Sequence, residues 1–209
     1  MPLTPVPSDQ VATIVTSLEM LDRPKPRPMP PAPFRLNRWK QPGAEKYRAL
    51  FRRVGEPWMW FSRLVMAEDE LLAITQDEAV EIYAVEDRRG IEIGMLELDF
   101  RVTGEAEIAF FGLVPELAGK GHGGWLMAQA LGLGWRKDVR RMWVHTCTLD
   151  HPGALAFYRK HGFRPYARAV ETFADPRLAG VLPLECAPHV PLFGGDPADG
   201  DQAPAASRR

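Results

Sequence analysis

A glycine-rich loop between an apolar run and a helical pattern constrains the fold of this chain more than any other feature. Residues 110–114 are apolar, Pro115 ends the run, and glycine occupies four of the six positions from 119 to 124. An apolar helical pattern extends from about residue 121 to 135. This order predicts a strand, a loop with exposed backbone N–H groups and a helix N-terminus, whose dipole favours negative charge. We therefore expect the loop to bind a phosphate group.

The composition is that of an ordinary globular protein and argues against several classes of partner. The chain has 209 residues, of which 45% are hydrophobic and 25% charged, and a formal net charge of −1. This length fits one domain with a sizeable core, and the absence of excess positive charge predicts no nucleic-acid or anionic-membrane partner. No apolar run approaches the roughly 20 residues of a membrane helix, and the first residues lack a signal-peptide pattern. We expect a cytoplasmic protein.

The cysteines and histidines do not form metal-binding patterns. Cys147 and Cys186 provide neither a disulfide framework nor metal-ligand spacing, and we expect them to be buried or unreactive thiols. The spacing of His122, His145 and His151 is not that of a zinc site. We expect no bound metal, and we expect His145, on a predicted strand, to be a core histidine.

Hydrophobic periodicity predicts an alternation of strands and helices. The predicted strands are 11–20, 80–85, 91–100, 106–114, 142–149 and 163–173, with a further short strand at 34–39. The predicted helices are 43–54, 67–75, 121–135 and 152–160. The apolar phase of segment 91–100 changes between Met95 and Leu96, which predicts a bulge or burial on both faces. The element order indicates an α/β (α+β) fold with a mostly antiparallel first half and one βαβ unit.

Two segments of biased composition bound the expected domain. Residues 23–33 contain six prolines, so they must be extended or polyproline-like. This segment is interpreted as a stiff connector, with a partner-docking strip as the alternative. The tail 194–209 is rich in Gly, Pro, Ala and Asp and is predicted to be disordered. We expect residues 1–193 to form a single domain.

Two nucleotide-binding motifs are similar in sequence to the glycine loop, but the residues around the loop do not fit either motif. The run from Gly119 to Gly124 matches G-x-G-x-x-G, the dinucleotide fingerprint. About 110 residues precede it, however, and too little chain follows to complete a doubly wound sheet. A Walker-type loop is excluded because Lys120 is followed by Gly121 and not by Ser or Thr. A nicotinamide oxidoreductase is therefore a disfavoured alternative.

Residues 91–163 contain two motifs about thirty residues apart, one at the glycine loop with Gly121 and Gly123, and one that extends from His151 to Phe163. Through these motifs this part of the chain resembles the GNAT superfamily of acyl-CoA-dependent N-acyltransferases. That family carries (Arg/Gln)-x-x-G-x-G/A before a helix, and the two glycines of this motif match Gly121 and Gly123. Its second signature, N-x-x-A-x-x-x-Y-x-x-x-G-F, matches here at four positions: Ala154, Tyr158, Gly162 and Phe163. There are two departures. Ala118 stands at the Arg/Gln position, where Lys120 is a possible substitute, and His151 stands where the family has Asn.

The resemblance implies a fold and a cofactor. The fold is a mixed, mostly antiparallel sheet that splays between its fourth and fifth strands and is flanked by about four helices. The cofactor is acetyl-CoA, which serves as acyl donor. Its pantetheine arm would insert into the splay beside a bulge near Gly112, and its pyrophosphate would bind the glycine loop. The implied cofactor-binding residues are Phe111, Gly112, Leu113, Gly119, Lys120, Gly121, His122, Gly123, Gly124 and His151.

The resemblance also implies catalytic residues. Tyr158 would protonate the leaving thiolate, with core packing as its alternative role. Glu107 would take the proton of the acceptor amine, with Glu105 or a bound water as substitutes and a solvated edge carboxylate as the alternative. Positions 105, 107, 109 and 111 are expected to share one strand face up to the bulge.

The expected acceptor is the primary amine of a small molecule, and the expected reaction is direct transfer. The aromatic segment 58–61 either covers the acceptor site or packs in the core. A protein or peptide amine, and a non-catalytic acyl-CoA sensor or interaction module, are the alternatives. A homodimer is left open.

Overall fold

The computed structural model describes residues 3–25 and 27–193, so the predicted disorder of the tail 194–209 concerns residues outside these ranges. Within the described residues, a mixed sheet has the strand order β2-β3-β4-β5-β6-β1-β7. Every neighbouring pair is antiparallel except β5 and β6, which are parallel. This confirms the predicted fold class. The strands are β1 (Gln10–Met20), β2 (Arg35–Trp39), β3 (Val80–Glu86), β4 (Glu92–Asp99), β5 (Glu105–Leu113), β6 (Arg141–Cys147) and β7 (Arg164–Ala174).

Helices cover both faces of the sheet. On one face, α1 packs so closely that a Cβ at Gly112 would lie 2.6 Å from Val54 Cγ1. On the other face, Gly134 of α4 approaches Ala106 of β5. Burial on both faces explains the mixed apolar phase of β4. The described helices are α1 (Ala44–Gly55), α2 (Ser62–Val65), α3 (Glu68–Thr75), α4 (His122–Gly134) and α5 (Ala154–Lys160). The four-residue α2 was not predicted because it is too short to show a period.

The first strand lies inside the sheet between the last two. Antiparallel pairing joins β1 to β6, for example Val15 to Cys147, and joins β1 to β7 from Gln10 to Glu19. The β1 side chains Leu18 and Met20 enter the core. The proline-rich residues 23–25 and 27–33 form neither helix nor strand and lead from β1 to β2, at the opposite edge of the sheet.

The sheet opens between β5 and β6. These strands pair only from Glu105 to Ile108, against Arg141 to Val144, and then separate. The splay predicted between the two strands that flank the glycine loop is therefore present.

The bulge beside the splay lies at Ala109 and not near Gly112. Glu97 pairs with Phe110, but Leu98 pairs with Ile108, so Ala109 is the extra residue. Leu96 and Leu98 share a face of β4, and they pair with Phe111 and Ile108. Phe111 thus lies on the face of Ile108, opposite Glu107. The expectation that positions 107 and 111 share a face is wrong because the extra residue reverses the alternation between them.

Candidate active site

A cavity of about 800 Å³ occupies the splay. Its walls come from β5 beyond Ile108, the glycine loop, the start of α5, the aromatic segment 58–61, and one end of β1 and β7. A second depression, of about 770 Å³, lies beside Arg52 and Leu117 and contains none of the predicted catalytic residues. Of the predicted residues, Lys120 and His122 are outside the cavity lining. Those that line it are Glu107, Phe111, Gly112, Leu113, Gly119, Gly121, Gly123, Gly124, His151 and Tyr158.

The glycine loop presents backbone donors at the start of α4. Gly119 and Gly121 have φ values of 72° and 80°, which favour glycine because a side chain is strained there. No side chain caps α4. Within the described residues, the N–H groups of Gly119, Gly121 and residues 122–123 have no backbone acceptor. These donors and the helix dipole can bind an anion.

The two histidines predicted near the cofactor have other contacts in this structure. The His122 ring packs edge-on against Phe34, with ring centroids 4.7 Å apart. His151 Nδ1 accepts a hydrogen bond of 3.0 Å from the Gly153 N–H, just before α5, and its ring lies 5.2 Å from Trp58. This hydrogen bond to His151 therefore stabilises the turn that positions the start of α5 at the cavity.

Tyr158 projects from α5 into the cavity wall and is only 7% exposed. Its ring packs between Phe111 and Phe163. Burial raises the pKa of the phenol far above its usual range, and the charge of Asp150 raises it further. Within the described residues, its hydroxyl has no hydrogen-bond partner, so the group is a neutral donor that remains available.

Glu107 and His145 form a pair where β5 and β6 separate. The distance from Glu107 Oε1 to His145 Nδ1 is 3.6 Å. The carboxylate beside it raises the pKa of the His145 imidazole, although burial opposes this. The expectation that His145 is a core residue is wrong. Even-numbered residues of β6 fill the core, so His145 faces the splay, where its side chain is 49% exposed. In the sequence, the odd number of His145 in the alternation of β6 was the signal that could have predicted this orientation.

The aromatic segment 58–61 both lines the cavity and packs behind it. Trp60 lies against Phe110, with ring centroids 5.2 Å apart. Its indole N–H donates to Asp150 Oδ1 at 3.4 Å. Met59, with a φ of 56°, turns its side chain into a buried cluster. The packing role is therefore present, and the segment also forms part of the cavity wall.

Segment 175–193 packs against the aromatic segment 58–61 and stabilises its position. Arg177 forms a buried ion pair with Asp175 at 2.7 Å and donates to the carbonyls of Cys186, Val190 and Pro191. The Cys186 thiol donates to the Glu56 carbonyl at 2.6 Å, directly before residues 58–61. The sequence did not predict these contacts of Arg177 and Cys186, because segment 175–193 has no helical or strand period.

A second buried ion pair supports the cavity wall. Arg63, on α2, donates to Glu97 Oε1 of β4 at 2.7 Å, and Tyr47 donates to Glu97 Oε2 at 2.5 Å. The guanidinium also lies 5.3 Å from the ring centroid of Phe110. A single charged residue within an apolar pattern does not indicate which residue it pairs with, so the sequence did not predict the pair of Arg63 and Glu97.

Two negative findings apply to the part of the chain that the structure describes. No cluster of three or more His, Cys, Asp or Glu side chains could hold a metal ion. No helix there is long and apolar enough to cross a membrane.

Comparisons with known proteins agree with the fold. A GCN5-related N-acetyltransferase from Sphaerobacter thermophilus superposes with a TM-score of 0.59 at 19% identity, over 77% of this chain and 51% of that one. This chain thus spans about half the length of that protein. A chimeric spermidine N-acetyltransferase derived from Vibrio cholerae gives a TM-score of 0.51 at 22% identity, over 65% and 83% of the two chains. An aminoglycoside acetyltransferase from an uncultured soil sample gives 0.50 at 14%, over 62% and 88%. These likenesses establish the fold.

The family itself follows from the sequence match. No curated protein matches the chain. Residues 44–163, which are 120 of the 209, match the model of the acetyltransferase (GNAT) family. This match extends from α1 to the end of the second predicted motif and includes the glycine loop. The chain belongs to the acetyltransferase (GNAT) family.

Proposed function

We propose that the protein is an acetyl-CoA-dependent N-acetyltransferase that transfers the acetyl group directly to the primary amine of a small molecule. One observation carries the proposal. A single cavity joins the free backbone donors of Gly119, Gly121 and Gly123 to the buried phenol of Tyr158 and the carboxylate of Glu107. Such a cavity combines an anion site with a proton donor and a proton acceptor.

The cofactor half of the cavity suits a long polyanion. The N–H groups of the glycine loop would bind the pyrophosphate of acetyl-CoA, with Lys120, His122 and Gly124 beside it. The pantetheine arm would follow β5 from Phe111 to Leu113, where the departure of β6 leaves a strand edge open. His151 would flank the arm at the start of α5.

The reaction needs a neutral amine and a stabilised leaving group. Glu107 would accept a proton from the acceptor nitrogen, which attacks the thioester carbonyl carbon. The C–S bond then breaks, and the O–H of Tyr158 stabilises and protonates the departing CoA sulfur. Cys147 also lines the cavity, but burial raises the pKa of its thiol, which disfavours a thiolate nucleophile and supports direct transfer.

The acceptor half favours an apolar or aromatic amine. Its walls include Trp58, Trp60, Phe61, Phe110 and Phe173. The solved relatives named for spermidine and aminoglycosides support a small-molecule amine as the acceptor class. The test is a screen that monitors CoA release with arylalkylamines, polyamines, aminoglycosides, amino acids and peptide N-termini. Release with peptides alone would contradict the small-molecule assignment.

Acetyl-CoA is expected to raise the Tm of the parent protein, and Gly124→Asp is expected to abolish that shift. A ligand stabilises the fold when it binds only the folded state. A Cβ at Gly124 meets no atom within 4 Å, so the substitution fits the structure but places a negative charge beside the phosphate site. An acidic residue in the first turn also favours the helix, so the Tm without ligand should not fall. Differential scanning fluorimetry measures both values.

Gly132→Asp is the matched control, because Gly132 is an exposed position of the same helix with equal space for a side chain. Its acetyl-CoA shift should equal that of the parent. Equal shifts in Gly124→Asp and the parent would remove the glycine loop from the cofactor site.

Glu107→Gln is expected to lower kcat/KM about 10²-fold at neutral pH, because it removes the base and preserves shape. Activity should recover partly at high pH, where more of the free amine is neutral. Glu105→Gln is the control, since Glu105 is on the same strand but pairs with Arg141 at 3.0 Å. A raised acceptor KM with an unchanged pH profile of kcat would instead show that Glu107 only binds the ammonium group.

A further inference from the structure

We infer that His145 relays the proton that Glu107 removes from the acceptor amine out to solvent. This inference rests on the proposed function. Glu107 must return to its ionised form in every turnover, so the accepted proton needs a way out. His145 would act on Glu107 and not on the substrate, which makes it a positioning and relay residue.

His145 lies beside Glu107 and is the more exposed of the two side chains. Parallel pairing of β5 and β6 ends at Ile108 and Val144, so His145 is the first residue of β6 beyond the paired stretch. The Glu107 side chain is 22% exposed, and that of His145 is 49% exposed, at a distance of 3.6 Å between Oε1 and Nδ1. The imidazole therefore contacts the carboxylate through Nδ1, and the rest of the ring is exposed in the cavity that both residues line.

The charges around His145 favour a transient imidazolium. Glu107 faces it from β5, Glu171 from β7 and Asp150 from the turn after β6. Ser17, its register partner on β1, carries no charge, and Cys147 is the next residue of β6 on the same face. These carboxylates raise the pKa of His145 from its ordinary value, against the opposing effect of burial. The relay should therefore operate best above that raised pKa, where the imidazole begins each cycle neutral.

The proton that Glu107 accepts reaches solvent in three moves, and Tyr158, which protonates the CoA sulfur, regains one proton from water, so the proton balance closes. The acceptor ammonium or the forming amide loses one proton to Glu107, whose carboxylate becomes a carboxylic acid. The acid passes the proton to His145 Nδ1, which restores the carboxylate and forms an imidazolium. The imidazolium releases a proton from Nε2 to water, and rotation of the half-exposed ring returns an unprotonated nitrogen to Glu107. No oxidant or further reactant is needed.

The test uses His145→Gln, which keeps a polar side chain of similar length, and His145→Ala, which leaves room for free imidazole. At pH 7 both variants should lose kcat by about 10–10²-fold with an unchanged KM for acetyl-CoA. Added imidazole should restore His145→Ala in proportion to its concentration. It should not restore Glu107→Gln, which lacks the proton acceptor. His189→Gln is the control, because His189 is exposed and outside the cavity lining.

An NMR titration supplies a second readout that does not depend on turnover. The pKa of His145 should fall in Glu107→Gln, because the variant lacks the negative charge beside the ring. A kcat within twofold of the parent in His145→Gln across pH 6–9, or a folded His145→Ala that imidazole does not restore, would overturn the relay alone. If the parent itself releases no CoA with any amine, the proposed function is overturned together with the relay.

Discussion

Replacing Tyr158 by Phe is expected to lower kcat by roughly 10²–10⁴-fold while acetyl-CoA affinity stays nearly constant. The ring packs in the core between Phe111 and Phe163, and the variant keeps that packing. What is lost is the hydroxyl, which burial holds in its neutral, donating form. An interaction that forms only as charge develops on the CoA sulfur affects kcat and not ground-state binding. Steady-state kinetics and a thermal shift with acetyl-CoA measure the two quantities separately.

Tyr166→Phe is the matched control for this experiment. Tyr166 is an exposed residue of β7 outside the cavity lining, so the same chemical change there should leave kcat unaltered. A Tyr158→Phe enzyme with activity within twofold of the parent would show that Tyr158 is a packing residue.

Replacing Arg63 by Met is expected to lower the free energy of unfolding by about 3–5 kcal/mol. Glu97, its partner, is 0% exposed, and the Arg63 side chain is 10% exposed. Removal of the guanidinium leaves a buried carboxylate without its cation, and only the hydrogen bond from Tyr47 remains. Such a carboxylate is costly because it has lost both water and its counter-charge. Urea denaturation measures the loss.

The pH dependence of this variant has a defined sign. Burial raises the pKa of Glu97 in the parent, although the charge of Arg63 lowers it. Removal of the Arg63 guanidinium should therefore raise the pKa of Glu97 further. The folded variant then binds a proton more readily than the unfolded chain, so its stability decreases as pH rises through the raised pKa. The destabilisation should therefore be larger at pH 8 than at pH 5.

Two further variants separate the buried charge from other effects. Adding Glu97→Gln to Arg63→Met should recover part of the stability, because the neutral amide can still accept from Tyr47. Arg101→Met removes the partner of Asp99 at a position where the arginine side chain is 43% exposed. Asp99 is 8% exposed and keeps the backbone N–H of Arg101 as a donor, so the loss should be smaller than that for Arg63→Met. Equal losses for Arg63→Met and Arg101→Met would contradict the assigned role of burial.

The sequence predicted the features that depend on neighbouring residues. The α1 period of Tyr47, Phe51 and Val54, and the glycine loop before α4, are local patterns that specify their own structure. Their bounds in the structure differ from the predicted ones by a few residues at most. The splay came from the family resemblance, because it is a relation between two strands.

The parts that the sequence did not predict depend on contacts between distant residues. The extra residue Ala109 is defined only by its register with β4, and the side to which His145 points depends on which face of β6 is covered. Arg63 pairs with Glu97, and Arg177 donates hydrogen bonds to residues further along the chain. In both cases the sequence patterns of the two segments do not indicate that they will be in contact. The roles of Tyr158 and Glu107 remain predictions, supported by their placement in one cavity.

The position of β1 between β6 and β7 has a consequence for the order of folding. Thr13 bonds to Thr148, 135 positions away, so the earliest strand of the chain finds its partners only after nearly all the others exist. Contacts of such long sequence separation slow folding, because the loop entropy is lost before the contacts form. Until β1 inserts, β6 and β7 present unpaired edges that can recruit other chains. We therefore expect closure of the sheet around the cavity, with Thr13 and Val15 in its wall, to bury these edges and reduce aggregation during folding.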